Sequence, residues 1–141
     1  MGNFTTDLSF GKKWEHLAQR LLGENVVEVA DGCFKDWDFR TANASYEVKA
    51  DRYAHRTNCC FIEYECNGKP SGITASKADY YMYFAVKPNN EYDVYKIPTD
   101  AIREACKKPL ATKSGGDNYK VKGHIVSLQD FKDYKFTPNP M

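Results

Sequence analysis

The sequence predicts a mixed α/β (α+β) domain in which a mixed central β-sheet is flanked by helices. Residues 11–22 carry apolar side chains at helical spacing, later short runs alternate like strands, and residues 80–86 form one apolar run suited to a buried strand. The elements come in the order α, several β, α, β, β, α, β, without internal repeats.

Trp14, Leu17, Ala18, Leu21 and Leu22 form the stripe of the first helix, with Asp7 or Ser9 as its cap and Gly23 as its stop. Glu15 stands at the border of that stripe. Residues 26–29 read as a short strand, and Asp31-Gly32 as a turn. Residues 37–40 and 46–50 read as a hairpin joined by the small polar run 41–45. The polar, basic stretch 51–58 reads as a loop. Residues 59–66 alternate as a strand, with Phe61, Glu63 and Glu65 on one face. After the loop at 67–72, Thr74 or Ser76 is expected to start a short helix that leads into the buried strand. Pro88-Asn89-Asn90 turns into a strand at 92–97. Pro98-Thr99 opens a helix with Thr99 as N-cap and Ala101, Ile102 and Ala105 turned inward. The basic, Gly-rich stretch 107–122 reads as a loop, and 124–128 as the last strand.

A chain of 141 residues fits one domain. A formal net charge of +1 excludes binding by bulk basicity, so any contact with nucleic acid must use local positive charge. The 10 tyrosines permit base stacking and phosphate bonding without demonstrating either. No run approaches the roughly 20 apolar residues of a membrane span, so no membrane partner is expected. The N-terminus lacks a basic-then-apolar leader, which makes the expected location cytoplasmic. Five cysteines, two of them adjacent, form no disulfide framework. His55 with Cys59, Cys60 and Cys66 lacks the paired-knuckle spacing of structural zinc sites, which leaves free, mostly buried thiols. No Ser-His-Asp or Cys-His nucleophile set has a local signature.

The chemistry concentrates at the hairpin. Asp38 lies nine residues before Glu47, and Lys49 follows Glu47 at i+2. Glu47 and Lys49 therefore share a strand face, while Val48 turns to the other. The hairpin brings Asp38 opposite Glu47. Two carboxylates this close repel and draw a cation between them, and Lys49 offsets only part of that charge. Hard carboxylate oxygens suit Mg²⁺, and an adjacent ammonium suits a phosphodiester transition state. A solvated strand face with an incidental ion pair has the same spacing; the preceding helix and the strand order favour the metal site. Asp36 shares a face with Asp38 and would replace it on a register slip, but Asp38 has the apolar neighbours Trp37 and Phe39.

A helix with a glutamate, a hairpin bearing Asp and then Glu-x-Lys, a strand, a short helix and a strand resemble the PD-(D/E)XK nuclease superfamily over about residues 11–86. The resemblance implies a restriction-endonuclease-like core over about 11–97 with a C-terminal extension over about 98–141. It implies a metal-dependent DNA phosphodiesterase, an endonuclease rather than an exonuclease, with Mg²⁺ or Mn²⁺ as cofactor. Asp38 looks like the first metal carboxylate, Glu47 like the second, and Lys49 like the lysine that orients the water. Glu15 looks like the extra acidic residue some members bring to the metal, and the Val48 main-chain carbonyl completes the set. Lys77 resembles the basic residue that phage-type members place near the scissile phosphate. Trp37 stands where the family often has proline, and the Gln-based motif of resolvase-like members is missing. Arg52, His55, Arg56, Tyr119 and Lys120 are expected on the DNA backbone. DNA is the expected partner, with a homodimer or a protein partner to cut both strands; the compact layout resembles phage-encoded members. The competing reading is a non-catalytic nucleic-acid-binding module of nuclease-like fold.

Overall fold

In a computed structural model, residues 4–30, 36–115 and 120–137 are described, 4–9 as backbone alone. The chain begins with α1 (Phe4–Leu22), β1 (Val26–Val29), β2 (Phe39–Thr41), β3 (Ser45–Asp51) and α2 (Ala54–Thr57). It continues through β4 (Cys59–Cys66), β5 (Lys69–Pro70), β6 (Tyr80–Val86), β7 (Tyr92–Pro98) and α3 (Thr99–Ala105). Strands β8 (Ala111–Gly115) and β9 (Val121–Ser127) follow, and 3₁₀ turns lie at Pro88–Asn90 and Leu128–Tyr134. Among the described residues these elements build a five-stranded sheet, β1-β2-β3-β6-β7, and a four-stranded sheet, β5-β4-β9-β8. The first is mixed, because β3 and β6 run parallel while its other pairs are antiparallel. The second is antiparallel throughout. The class is thus α+β.

The apolar run at β6 is explained by burial on both faces. On one face Met82, Phe84 and Val86 pack with Phe39, Tyr46 and Val94 against Trp14 and Ala18 of α1. On the other, Tyr81, Tyr83 and Ala85 pack with Tyr95 and Ile97 against Cys60, Ile62 and Val126 of the second sheet. Ile102 of α3, Leu128 and Phe131 close that second core. The expected sheet flanked by helices therefore has a helix on one side and, chiefly, another sheet on the other.

Several local expectations are corrected. The first helix begins at Phe4, so Asp7 and Ser9 lie within it instead of capping it. Gly23 does end it: its φ of +65° is the left-handed conformation of a helix stop. The loop expected at 51–58 contains α2, whose first turn is capped by Asp51 Oδ1 accepting the N–H groups of Tyr53 (2.7 Å) and Ala54 (3.0 Å). No helix starts at Thr74 or Ser76; this segment is a turn followed by extended chain. Gly72 has φ +52°, and the Ser76 hydroxyl takes the Ala78 N–H at 3.2 Å, a local bond that competes with helix. At α3 the cap position is Pro98 and Thr99 is already helical. The stretch 107–122, expected as a loop, contains β8 and the start of β9, while residues 116–119 lie outside the described residues. Every side chain of β8 is exposed, so no apolar alternation marked it; main-chain pairing with β9 holds it.

Among the described residues after 98, β9 joins the second sheet, and Ile102, Val126, Leu128 and Phe131 are part of its core. β9 pairs with β4 from Cys59↔Ser127 to Cys66↔Val121. A chain ending after Ile97 would leave Cys60, Ile62, Tyr83 and Tyr95 without Val126, Leu128 and Phe131. It is expected to show no cooperative thermal transition by circular dichroism, and a sharp melt like that of the full chain would contradict this.

Candidate active site

The hairpin sets Asp38 against β3. β2 and β3 pair Phe39 with Tyr46 and Arg40 with Ser45, and continuing that register places Asp38 level with Glu47. The Asp38 main chain is anchored on both sides: its N–H donates to Tyr46 O at 2.9 Å, and its carbonyl accepts from Ala30 N at 2.9 Å. Its side chain then takes over the ladder, since Oδ2 accepts the Val48 N–H at 2.7 Å. Asp38 is only 5% exposed. A strand residue presents its N–H and C=O on the same side, so the Val48 carbonyl also faces the Asp38 side. Glu47, its side chain 14% exposed, shares with Lys49 the face of β3 turned away from α1, and Lys49 Nζ stands 4.0 Å from Glu47 Oε2. Val48 instead packs with the α1 cluster.

The parallel register supplies the second wall. It places Glu47 beside Tyr81, Lys49 beside Tyr83 and Asp51 beside Ala85. The Tyr81 phenol is held far up in its neutral form, first by burial and then by the charge of Glu47. Asp38 adds a smaller push in the same direction, opposed by the Ser76 hydroxyl and the Arg103 cation. Arg103 Nη2 donates to Ser76 O at 2.9 Å, tying α3 to the loop beside the site. Tyr81, Ser76 and Arg103 were not legible as neighbours of Glu47, because a parallel register carries no mark in the sequence. At the closed end of the hairpin, Glu24 accepts from Thr41 Oγ1 (2.7 Å) and Tyr46 Oη (2.9 Å), with Lys96 Nζ 3.9 Å away. Burial and this bond raise the Tyr46 phenol well above its usual range.

The other expected residues are distributed less tightly. Glu15 is 6% exposed on α1, with Lys12 Nζ 3.6 Å from Oε1. Among the described residues no three His, Cys, Asp or Glu side chains are grouped to hold a metal ion, so Glu15 does not complete a three-carboxylate set with Asp38 and Glu47. The hard oxygens at hand are two carboxylates and the Val48 carbonyl. That set suits Mg²⁺ or Mn²⁺, ions that keep part of their water shell when bound. Lys77 is not on a helix; it is exposed, its N–H donates to Asp36 O at 2.9 Å, and its Nζ lies 4.0 Å from Asp36 Oδ2. Asp36 thus faces Lys77 and solvent, and Asp38 is the aspartate against β3.

Glu63 accepts from the Ser71 hydroxyl at 2.8 Å, and Glu65 pairs with Lys122 at 3.1 Å. Arg52 lies over the Phe10 ring, its guanidinium carbon 3.8 Å from the centroid, while His55 and Arg56 are exposed on α2. Lys120 is exposed beside the β4–β5 turn, its N–H donating to Asn67 Oδ1 at 2.9 Å; Tyr119 lies outside the described residues. Of the four described cysteines, all free, Cys60 is buried and the others half-buried. Burial pushes the Cys60 thiol up to about 12 and the Cys106 thiol up to about 11, which keeps both protonated at neutral pH. No helix among the described residues is long and apolar enough to cross a membrane.

No protein-family model matches the chain, and no curated protein matches it. The class is set by what the molecule itself presents: an α+β domain whose hairpin carries two carboxylates and a lysine.

The Asp38–Val48 bond can be isolated by two substitutions. Asp38→Asn keeps an oxygen acceptor, whereas Asp38→Ala leaves a shielded N–H without one. Chemical denaturation is expected to find the alanine variant less stable than the asparagine variant by about 1–3 kcal/mol. Equal stabilities would mean the bond does not hold the hairpin.

Proposed function

We propose that the chain is a Mg²⁺- or Mn²⁺-dependent DNA phosphodiesterase, an endonuclease with a restriction-endonuclease-like core. One observation carries this reading: the Asp38 carboxylate is drawn onto the Val48 N–H at 2.7 Å. It aligns Asp38, the Val48 carbonyl and Glu47 along one stretch of β3, next to Lys49. Without a cation, such carboxylates would repel a phosphodiester, so their use beside DNA requires a bound positive ion. When bound, a divalent ion supplies Lewis-acid polarisation of the phosphate and lowers the pKa of a water.

The chain's own residues do the remainder. Asp38 and Glu47 would hold such an ion. Lys49, on the Glu47 face, orients the attacking water and offsets the charge that builds on the phosphate. Lys77 is exposed and its 4.0 Å link to Asp36 is weak, which leaves its ammonium able to take a phosphate oxygen. Arg52, His55 and Arg56 follow the end of β3, where they suit the sugar-phosphate backbone.

The test is cleavage of end-labelled single-stranded, duplex, flap and four-way-junction DNA with Mg²⁺, Mn²⁺ or EDTA. Cutting is expected with either metal and not with EDTA, and Glu47→Ala and Lys49→Ala should each lower the rate by about 100-fold or more. Wild-type rates in both variants would refute the reading. DNA binding without cutting, unchanged in Asp38→Ala, would assign the chain to a non-catalytic nucleic-acid-binding module instead.

A further inference from the structure

Where β3 ends and β4 passes it, a cleft of about 590 Å³ opens beside Lys49. Clefts of roughly 300–1,000 Å³ are the usual size for small organic groups. Its wall combines rings and cations: Phe10 of α1, Tyr53, Phe61 of β4, Lys49 and Arg52. The acidic groups in the same wall are turned to internal partners. Asp51 accepts the Tyr83 hydroxyl and the Tyr53 and Ala54 N–H groups, and Glu63 accepts the Ser71 hydroxyl.

The rings are presented and not merely left over. Phe61 is 39% exposed, and its ring tip rests on Gly123 of β9, where a Cβ would stand 2.3 Å from Cζ. A side chain at that position would push the ring away, so glycine lets an aromatic group lie on the strand at the cleft's edge. Tyr53 is 63% exposed, with the Arg56 guanidinium 5.4 Å from its ring centroid. Arg52 stacks on Phe10. Open ring faces beside cations are what single-stranded nucleic acid uses, through base stacking and phosphate neutralisation.

The geometry points to this cleft as the seat of an unpaired nucleobase, stacked against Phe61 and Tyr53 with its flanking phosphates on Lys49 and Arg52. The inference rests on the reading of Asp38 and Glu47 as a DNA-hydrolysing centre, and Lys49 belongs to both sites. It narrows the substrate to DNA with a single-stranded or splayed-out nucleotide at the cut. A base stacked and paired within a duplex offers no free face to the cleft.

Fluorescence anisotropy in Mg²⁺, with a labelled oligo-dT strand and a blunt duplex of equal length, both built with hydrolysis-resistant phosphorothioate linkages, tests it without any cutting. Wild type is expected to prefer the single strand. Phe61→Ala and Tyr53→Ala should each weaken single-strand binding by about 5- to 150-fold, the loss of one base stack, and leave duplex binding unchanged. Gly123→Ala, which displaces the Phe61 ring without removing it, should shift single-strand affinity in the same direction. Thermal melting checks that each variant is folded, and Tyr53 is exposed enough for its removal to spare the core. Unchanged single-strand affinity in Phe61→Ala and Tyr53→Ala, or equal losses on the duplex, would overturn the cleft while leaving the nuclease reading standing. Selective single-strand binding by a chain that cuts nothing would support the cleft and refute the nuclease.

Discussion

The parallel pairing of β3 with β6 is the constraint on which the remaining architecture depends. β6 is buried on both faces, so it can only be central, and β3 is the strand that inherits its position. The pairing is fixed at both ends by side chains. At the start, Asp79 Oδ2 accepts the Ser45 N–H at 2.9 Å, and the Asp79 N–H returns a bond to Ser45 O at 3.0 Å. At the end, the Tyr83 hydroxyl donates to Asp51. Because side chains alternate along a strand, a slip of one residue would turn Glu47 and Lys49 toward α1 and Val48 toward the site. The hairpin, the carboxylate pair and the cleft beyond Lys49 all inherit this register.

Much of that was legible in the chain, for reasons that differ by element. The stripe from Trp14 to Leu22 announced a helix because burial on one face imposes its period, and the apolar run at β6 announced a doubly covered strand. The hairpin was legible because the small, polar run at 41–45 marks a connection, which the structure narrows to 42–44, and Asp38 opposite Glu47 follows from its length. Two elements were not legible for local reasons: β8 buries no side chain, and the first turns of α1 contain Thr5, Thr6 and Gly11, which do not favour helix. The helix expected near Ser76 failed because Gly72 and the Ser76 hydroxyl satisfy the backbone locally. That β9 joins β4 was not legible either, because such pairing is a long-range fact with no local signature.

At the site, local sequence spacing was informative and long-range placement was not. Asp38, Val48, Glu47 and Lys49 are within one hairpin, so strand geometry alone brings them together. Glu15 comes from another element, and Lys77 was assigned to a helix that does not form; both depend on packing that no spacing rule encodes. Tyr81 shows the electrostatic side of the same point. Its phenol sits where burial and the Glu47 charge both keep it neutral, so Tyr81 adds no further negative charge beside the carboxylates. The region offers hard oxygens and the Lys49 ammonium along β3, with guanidinium groups past its end. That polarity suits a phosphodiester chain laid across the strand more than a neutral ligand.

The central claim is that Asp38 and Glu47 together hold a divalent cation. Titration of the full chain with Mn²⁺, followed by electron paramagnetic resonance of the free ion, tests it without any substrate. The account predicts one ion per chain, lost in Asp38→Asn and in Glu47→Gln but retained in Glu65→Gln, whose carboxylate pairs with Lys122 on the second sheet. No binding by the wild type, or binding that survives both hairpin substitutions, would contradict it.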